Sequence, residues 1–163
     1  MPITLHPAWH PIMAHFAVGF SMGASLLVMV GLAAILFNNN GFAKRLTYPL
    51  SIMLLLSLIS LAITGASAMI DFPAATFAAS PWFKFKTTFE ILAFFVYMGM
   101  YYTVLLKNEG LWEDKTSLTY MIVLAAIGAF TISVLGAAGG YLAVGHSVLE
   151  PLLEMLGLPM PRA

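Results

Sequence analysis

The sequence predicts an all-α integral membrane protein, an antiparallel bundle of four helices. Its 163 residues are 61% hydrophobic and 9% charged, with a mean hydropathy of +0.93, whereas soluble domains are nearer roughly half apolar. Four stretches reach the about 20 mostly apolar residues that cross hydrocarbon: Ile12 to Phe37, Leu46 to Ile70, Thr87 to Leu106, and Leu118 to Val144. Lipid offers no partners to backbone N–H and C=O groups, so each stretch must be helical, and short connectors make neighbours antiparallel. Residues 1–163 read as one transmembrane domain with a tail over 147–163.

The first helix lacks a basic segment before it and is longer than a signal-peptide core, so it reads as a retained span. The pairs His6-Pro7 and His10-Pro11 hold the histidines extended and let Pro11 occupy the first turn. His15 lies about 140° around the helix from His10, so the two cannot share one straight face, and one points inward while the other sits at the interface. Gly19, Met22, Gly23 and Leu26 follow on the face of His15. The glycines there admit either a flat macrocycle or a closely packed neighbouring helix.

The second helix carries Ser57, Ser60, Thr64 and Ser67 at steps of three and four, extended by Asp71. Such a stripe must face protein, where hydroxyls bond their own carbonyls four residues back or a neighbouring helix. Asp71 is placed either to accept the second N–H of a ligating histidine or to pair with Lys84 or Lys86. The third helix opens with Lys84, Lys86, Thr87, Thr88 and Glu90. A carboxylate about one turn into the membrane must be neutral, paired or wet. A proton relay, a quinone contact or a pair with Lys86 would each satisfy Glu90, and the pair is preferred; Lys86 is also suited to a haem propionate. The fourth helix runs through Gly136, Gly139 and Gly140 to His146. Trp9, Trp82 and Trp112 sit at segment edges, where an interfacial belt would place them.

With no cysteine, disulfides, thiolate metal sites and cysteine-held clusters are excluded within the chain. No phosphate loop, nucleophile elbow or His-Glu-x-x-His helix is present, and the net charge of zero gives no reason to invoke nucleic acid. An even number of spans puts both termini on one side. The opposite side holds Lys44, Arg45, Lys107 and Lys115, against Lys84, Lys86 and Arg162 on the terminal side, so the positive-inside rule places the termini outside by one charge. In a bacterial inner membrane all four histidines would face the periplasm.

Histidines from opposite chain ends suggest a ligand set. His15 and His146, facing across a crevice between the first and last helices, match the axial pair of a b-type haem, with His10, Asp71, Gly19, Gly139, Gly140 and Lys86 in support. Two axial histidines leave iron no open position, so such a subunit would shuttle electrons and need a redox partner. Two alternatives stand beside it: an accessory subunit of a larger membrane complex, and a Cu or Zn site built from His6, His10 and His146.

The motifs His10-Pro11-x-x-x-His15-Phe16, Thr64-Gly65-x5-Asp71 and Gly139-Gly140-x-Leu142-x-x-x-His146 resemble the four-helix membrane family catalogued as domain of unknown function 2231. The resemblance covers nearly the whole chain. It implies a membrane redox component, because some members carry the domain beside a Rieske-type module, and electron transfer near a quinone or haem follows from it. It marks His10, His15, Asp71, Gly139, Gly140 and His146. Where members often place another histidine at the start of the third helix, this chain has Lys84, Lys86 and Glu90, which argues against a second haem or a three-histidine site there. The usual Tyr-x-His-Gly tail reads Val144-Gly145-His146-Ser147.

Overall fold

The computed structural model describes residues 9–71, 81–144 and 155. Its elements are α1 (Trp9–Leu36), α2 (Asn40–Arg45), α3 (Thr47–Asp71), α4 (Pro81–Lys107), a 3₁₀ turn (Asn108–Trp112) and α5 (Lys115–Val144). Among the described residues, four helices are long and apolar enough to cross a membrane. α1 packs against α3 and α5, and α4 packs against the same two. The four spans therefore close into a ring, with α1 and α4 on one diagonal.

Local chemistry sets the helix ends. Asn38 takes φ 56, a left-handed conformation that asparagine tolerates better than most residues, and this ends α1. Asn39 then caps α2, its Oδ1 accepting the Phe42 N–H at 3.2 Å. Thr47 and Pro49 start α3, where a proline in the first turn costs no hydrogen bond. α4 begins at Pro81, earlier than the polar run Lys84 to Thr88 suggested, because Pro81 nucleates the helix before the apolar span starts. At the other end of α4, Asn108 adopts φ 48 and turns the chain into the 3₁₀ segment.

That turn relocates Trp112. The sequence placed it in an interfacial belt, but it is 4% exposed. Its indole N–H donates to Thr47 Oγ1 at 2.8 Å, and its ring lies against Gly31, where any Cβ would collide with it. With Leu111, which is also buried, Trp112 plugs the end of the bundle away from the termini. Above the plug, Val28, Leu50, Leu54, Met100 and Met121 are all fully buried and form an apolar layer.

Asp114 organises the start of α5. Its carboxylate accepts from the Thr116 N–H at 3.1 Å, the Ser117 hydroxyl at 2.8 Å and the Lys107 ammonium at 2.7 Å. These contacts, the Lys107 ammonium foremost, hold its carboxyl below the usual carboxylate range. Its folded value is depressed, so its stabilising contribution is full above the ordinary carboxylate range and is lost as pH falls through that depressed value. Asp114→Asn is expected to flatten the acid limb of a melting-temperature-against-pH profile in detergent. An unchanged acid limb would show that these contacts do not couple to folding.

Candidate functional site at the terminal end

The buried polar side chains concentrate toward the terminal end of the bundle, with Thr47 and Ser117 buried at the other end. Ser21, Ser25, Ser57, Ser60, Thr64, Lys86 and Thr131 are all buried. The Ser21 and Ser57 hydroxyls meet at 2.5 Å between α1 and α3, and Ser25 meets the Tyr97 hydroxyl at 3.0 Å across the diagonal to α4. The rest of the α3 stripe bonds backward: Ser60 to Leu56 O at 2.7 Å, Thr64 to Ser60 O at 2.7 Å, and Ser67 to Thr64 O at 2.9 Å. The stripe thus faces protein and uses both kinds of partner expected of it. A double-mutant cycle on Ser21→Ala and Ser57→Ala should give a coupling of about 0.6 kcal/mol, the usual size of such bonds between membrane helices. Zero coupling would show that the contact is not used.

Above these hydroxyls sit the charges. Lys86 is 7% exposed and interacts electrostatically with Glu90 one turn on. Glu90 Oε1 is sealed from the surface, has no hydrogen-bond partner, and lies against Gly65, where an added Cβ would stand 3.6 Å from it. Lys86 and Glu90 stand one turn apart on α4, without an ion pair shorter than 4 Å between them.

The histidines divide by face. His15 is exposed, as are Phe16, Met22 and Leu26, while Ala17, Ser21, Ala24, Ser25 and Val28 form the buried stripe of α1. His15 thus lies on the outward flank of α1. Gly19, one turn further on, has no atom within 4 Å of a built Cβ. The backbone of His10, two turns before Ala17, falls on the face of the buried stripe.

Register fixes the levels. A Cβ on Gly136 would lie 3.8 Å from Val18 Cγ2, so α1 and α5 are level at that pair. In antiparallel helices equal steps stay level, which sets His15 opposite Gly139 and His10 opposite Val144. Gly139 shares a face of α5 with Gly128 and Met121, and no described atom lies within 4 Å of its built Cβ. At that pair α1 and α5 approach to ordinary van der Waals distance.

His6 and His146 lie outside the described residues, as do the side chains of His10 and Asp71 and the surroundings of Gly140. Among the described residues, no group of three or more His, Asp or Glu residues is placed to hold a metal. At the opposite end of the bundle, a cavity of about 360 Å³ is lined by Lys44, Arg45, Thr47, Tyr48, Ser51 and Glu109, with no histidine among its lining residues. The residues that sequence reasoning passed over are Ser21 and Ser25. Two serines four apart in an otherwise apolar span were the available signal for the inner face of α1.

No family model, no curated protein and no solved structure matches the chain.

Proposed function

We propose that the chain is a small subunit of a membrane redox complex, one that holds a b-type haem at the terminal end of the bundle and passes electrons without transforming a substrate. The observation that carries this reading is the register of α1 against α5. It sets the His10 backbone on the inner face of α1, level with Val144, which precedes His146 by two residues. On this reading His10, which shares the inner face of α1, takes the place of His15 beside His146 as the axial pair, and His15 is the outer histidine. Gly139, with no described atom within 4 Å of a built Cβ, suits the approach of a flat ring, and the buried ammonium of Lys86 would be the cation toward a propionate. The group itself would supply a one-electron couple tuned by its two imidazoles.

The partners of such a subunit are the surrounding lipid, a second redox protein and, as a source or sink of electrons, a quinone. The charge bias places the terminal end outside, which is the periplasm if the membrane is a bacterial inner one. The resemblance to the family with Rieske-linked members supports the same class by analogy.

The test is a reduced-minus-oxidised visible spectrum of the purified full chain, expressed with ample haem, repeated on His10→Ala, His15→Ala and His146→Ala. A b-type signal lost in His10→Ala and His146→Ala but kept in His15→Ala is expected. Loss in His15→Ala with retention in His10→Ala would restore the His15 and His146 pair. A colourless, folded protein would overturn the haem. Metal analysis would then separate a Cu or Zn site at His6, His10 and His146 from an accessory packing role. The second of these is favoured by the outward face of α1, where exposed His15, Met22 and Leu26 flank the open Gly19 and suit a close helix neighbour.

A further inference from the structure

We propose that Glu90 is a reversible proton-binding site inside the membrane span, open toward the terminal end of the bundle and governed by Lys86. Three independent observations meet at this carboxyl. Its Oε1 is buried without a hydrogen-bond partner, and a buried carboxylate oxygen left in that state is costly unless the group takes up a proton. The opposing wall at that oxygen is Gly65, so α3 offers it no side chain. Lys86, itself buried, stands one turn before Glu90 on the same helix and puts a cation on the same side of the interior. A carboxyl balanced between burial and a neighbouring cation has both states within reach.

Access is one-sided. Below Glu90 the buried hydroxyls of Ser60, Ser57, Ser21, Ser25 and Tyr97 continue the polar interior. From Lys86 to Tyr97 this spans about 16 Å at the helical rise per residue. It ends at the fully buried layer of Val28, Leu50, Leu54, Met100 and Met121, which offers no donor or acceptor side chain beyond the weak thioethers. The proton therefore arrives from the terminal end of the bundle. The step is a single protonation, in which the carboxylate and a proton from the aqueous phase at the terminal side give the neutral acid.

The charged and titratable groups around Glu90 are few. Lys86 and Tyr97 lie on its own helix, with exposed Lys84 further out. Asp71 ends α3, His10 and His15 stand at the start of α1, and Tyr141 is on the last turns of α5. This site does not depend on a haem. Its test can fail while the spectrum succeeds, and the reverse.

The probe is dicyclohexylcarbodiimide, an apolar reagent that modifies protonated carboxyls in lipid. The full chain in lipid nanodiscs would be labelled across a pH series, with the modified residue located by mass spectrometry. Label on Glu90 that rises as pH falls is expected, as is its complete loss in Glu90→Gln. Lys86→Met should extend the labelling to higher pH, because the cation that favours the ionised form is gone. No label at any pH in a folded protein would overturn the proposal and leave a permanently ionised pair, as would a labelling profile unmoved by Lys86→Met. For sidedness, a pH jump on one face of oriented vesicles should change the infrared carboxyl band only from the terminal face. A response from the opposite face alone would overturn the assigned access. Circular dichroism of each variant separates these outcomes from misfolding.

Discussion

Gly31→Ala should destabilise the bundle by about 1–3 kcal/mol, the usual cost of forcing extra volume into a packed interior, and Gly31→Leu should cost more. The added Cβ falls within the ring of Trp112, and the ring has nowhere to go. Leu111 beside it is fully buried, and the indole N–H is tied to Thr47 at 2.8 Å. Relief requires the turn from Asn108 to Trp112 to lift away, which would break that bond and open the end of the bundle. Thermal unfolding in detergent measures the loss, and a red shift of tryptophan emission reports the exposed ring. Wild-type melting with unchanged emission would show that the ring does not rest on Gly31.

Tyr97→Ala is expected to be among the most destabilising truncations of the described residues. Tyr97 is fully exposed to neither water nor lipid, at 0% accessibility, and it is the bulkiest of the completely buried side chains. Its ring fills the space left by Gly128, where a Cβ would stand 2.9 Å away, and its hydroxyl reaches Ser25 at 3.0 Å. Removing a buried aromatic costs about 3–5 kcal/mol in soluble cores. In lipid the transfer part is smaller, but the lost packing remains. Tyr97→Phe keeps the ring and gives up the diagonal bond, so it should cost about 0.6 kcal/mol. The two variants together, read by unfolding in mixed micelles, divide shape from hydrogen bonding. Equal costs would mean that the hydroxyl, not the ring, holds α1 to α4.

The four spans were legible because hydrocarbon thickness leaves little choice, whereas the short α2 and the 3₁₀ turn between spans were not. Four apolar runs of sufficient length can only be four helices. The hydroxyl stripe on α3 was legible for a related reason, since Ser57, Ser60 and Thr64 have no partners in lipid and had to be covered. Faces were harder to read where the helix is apolar all round. On α1 the lipid side and the core side are both hydrophobic, so His15 could be assigned to either, and the glycine at position 19 suited a cofactor as well as a neighbouring helix. The buried face follows the small and hydroxyl residues Ala17, Ser21, Ala24 and Ser25. Trp112 was misplaced for a different reason. A tryptophan beside charged residues has the composition of an interfacial anchor, and only the left-handed Asn108 reveals that the chain folds back. The charged cluster of Lys86 and Glu90 was read from spacing alone, but the bare wall at Gly65 is a tertiary fact that no local pattern contains.

The concentration of buried hydroxyls toward the terminal end has an electrical consequence. Hydroxyl dipoles that can turn polarise in a field, whereas the side chains of Val28, Leu50, Leu54, Met100 and Met121 behave as an insulator. The hydroxyl-lined part is the more polarisable of the two, so a voltage applied across the membrane drops less steeply there than over the apolar layer. A full crossing would couple to voltage at about 2.3 kcal/mol per charge for each 100 mV. A charge resting at Glu90 lies on the shallow part of that drop, electrically close to the aqueous phase it faces although it is physically within the membrane.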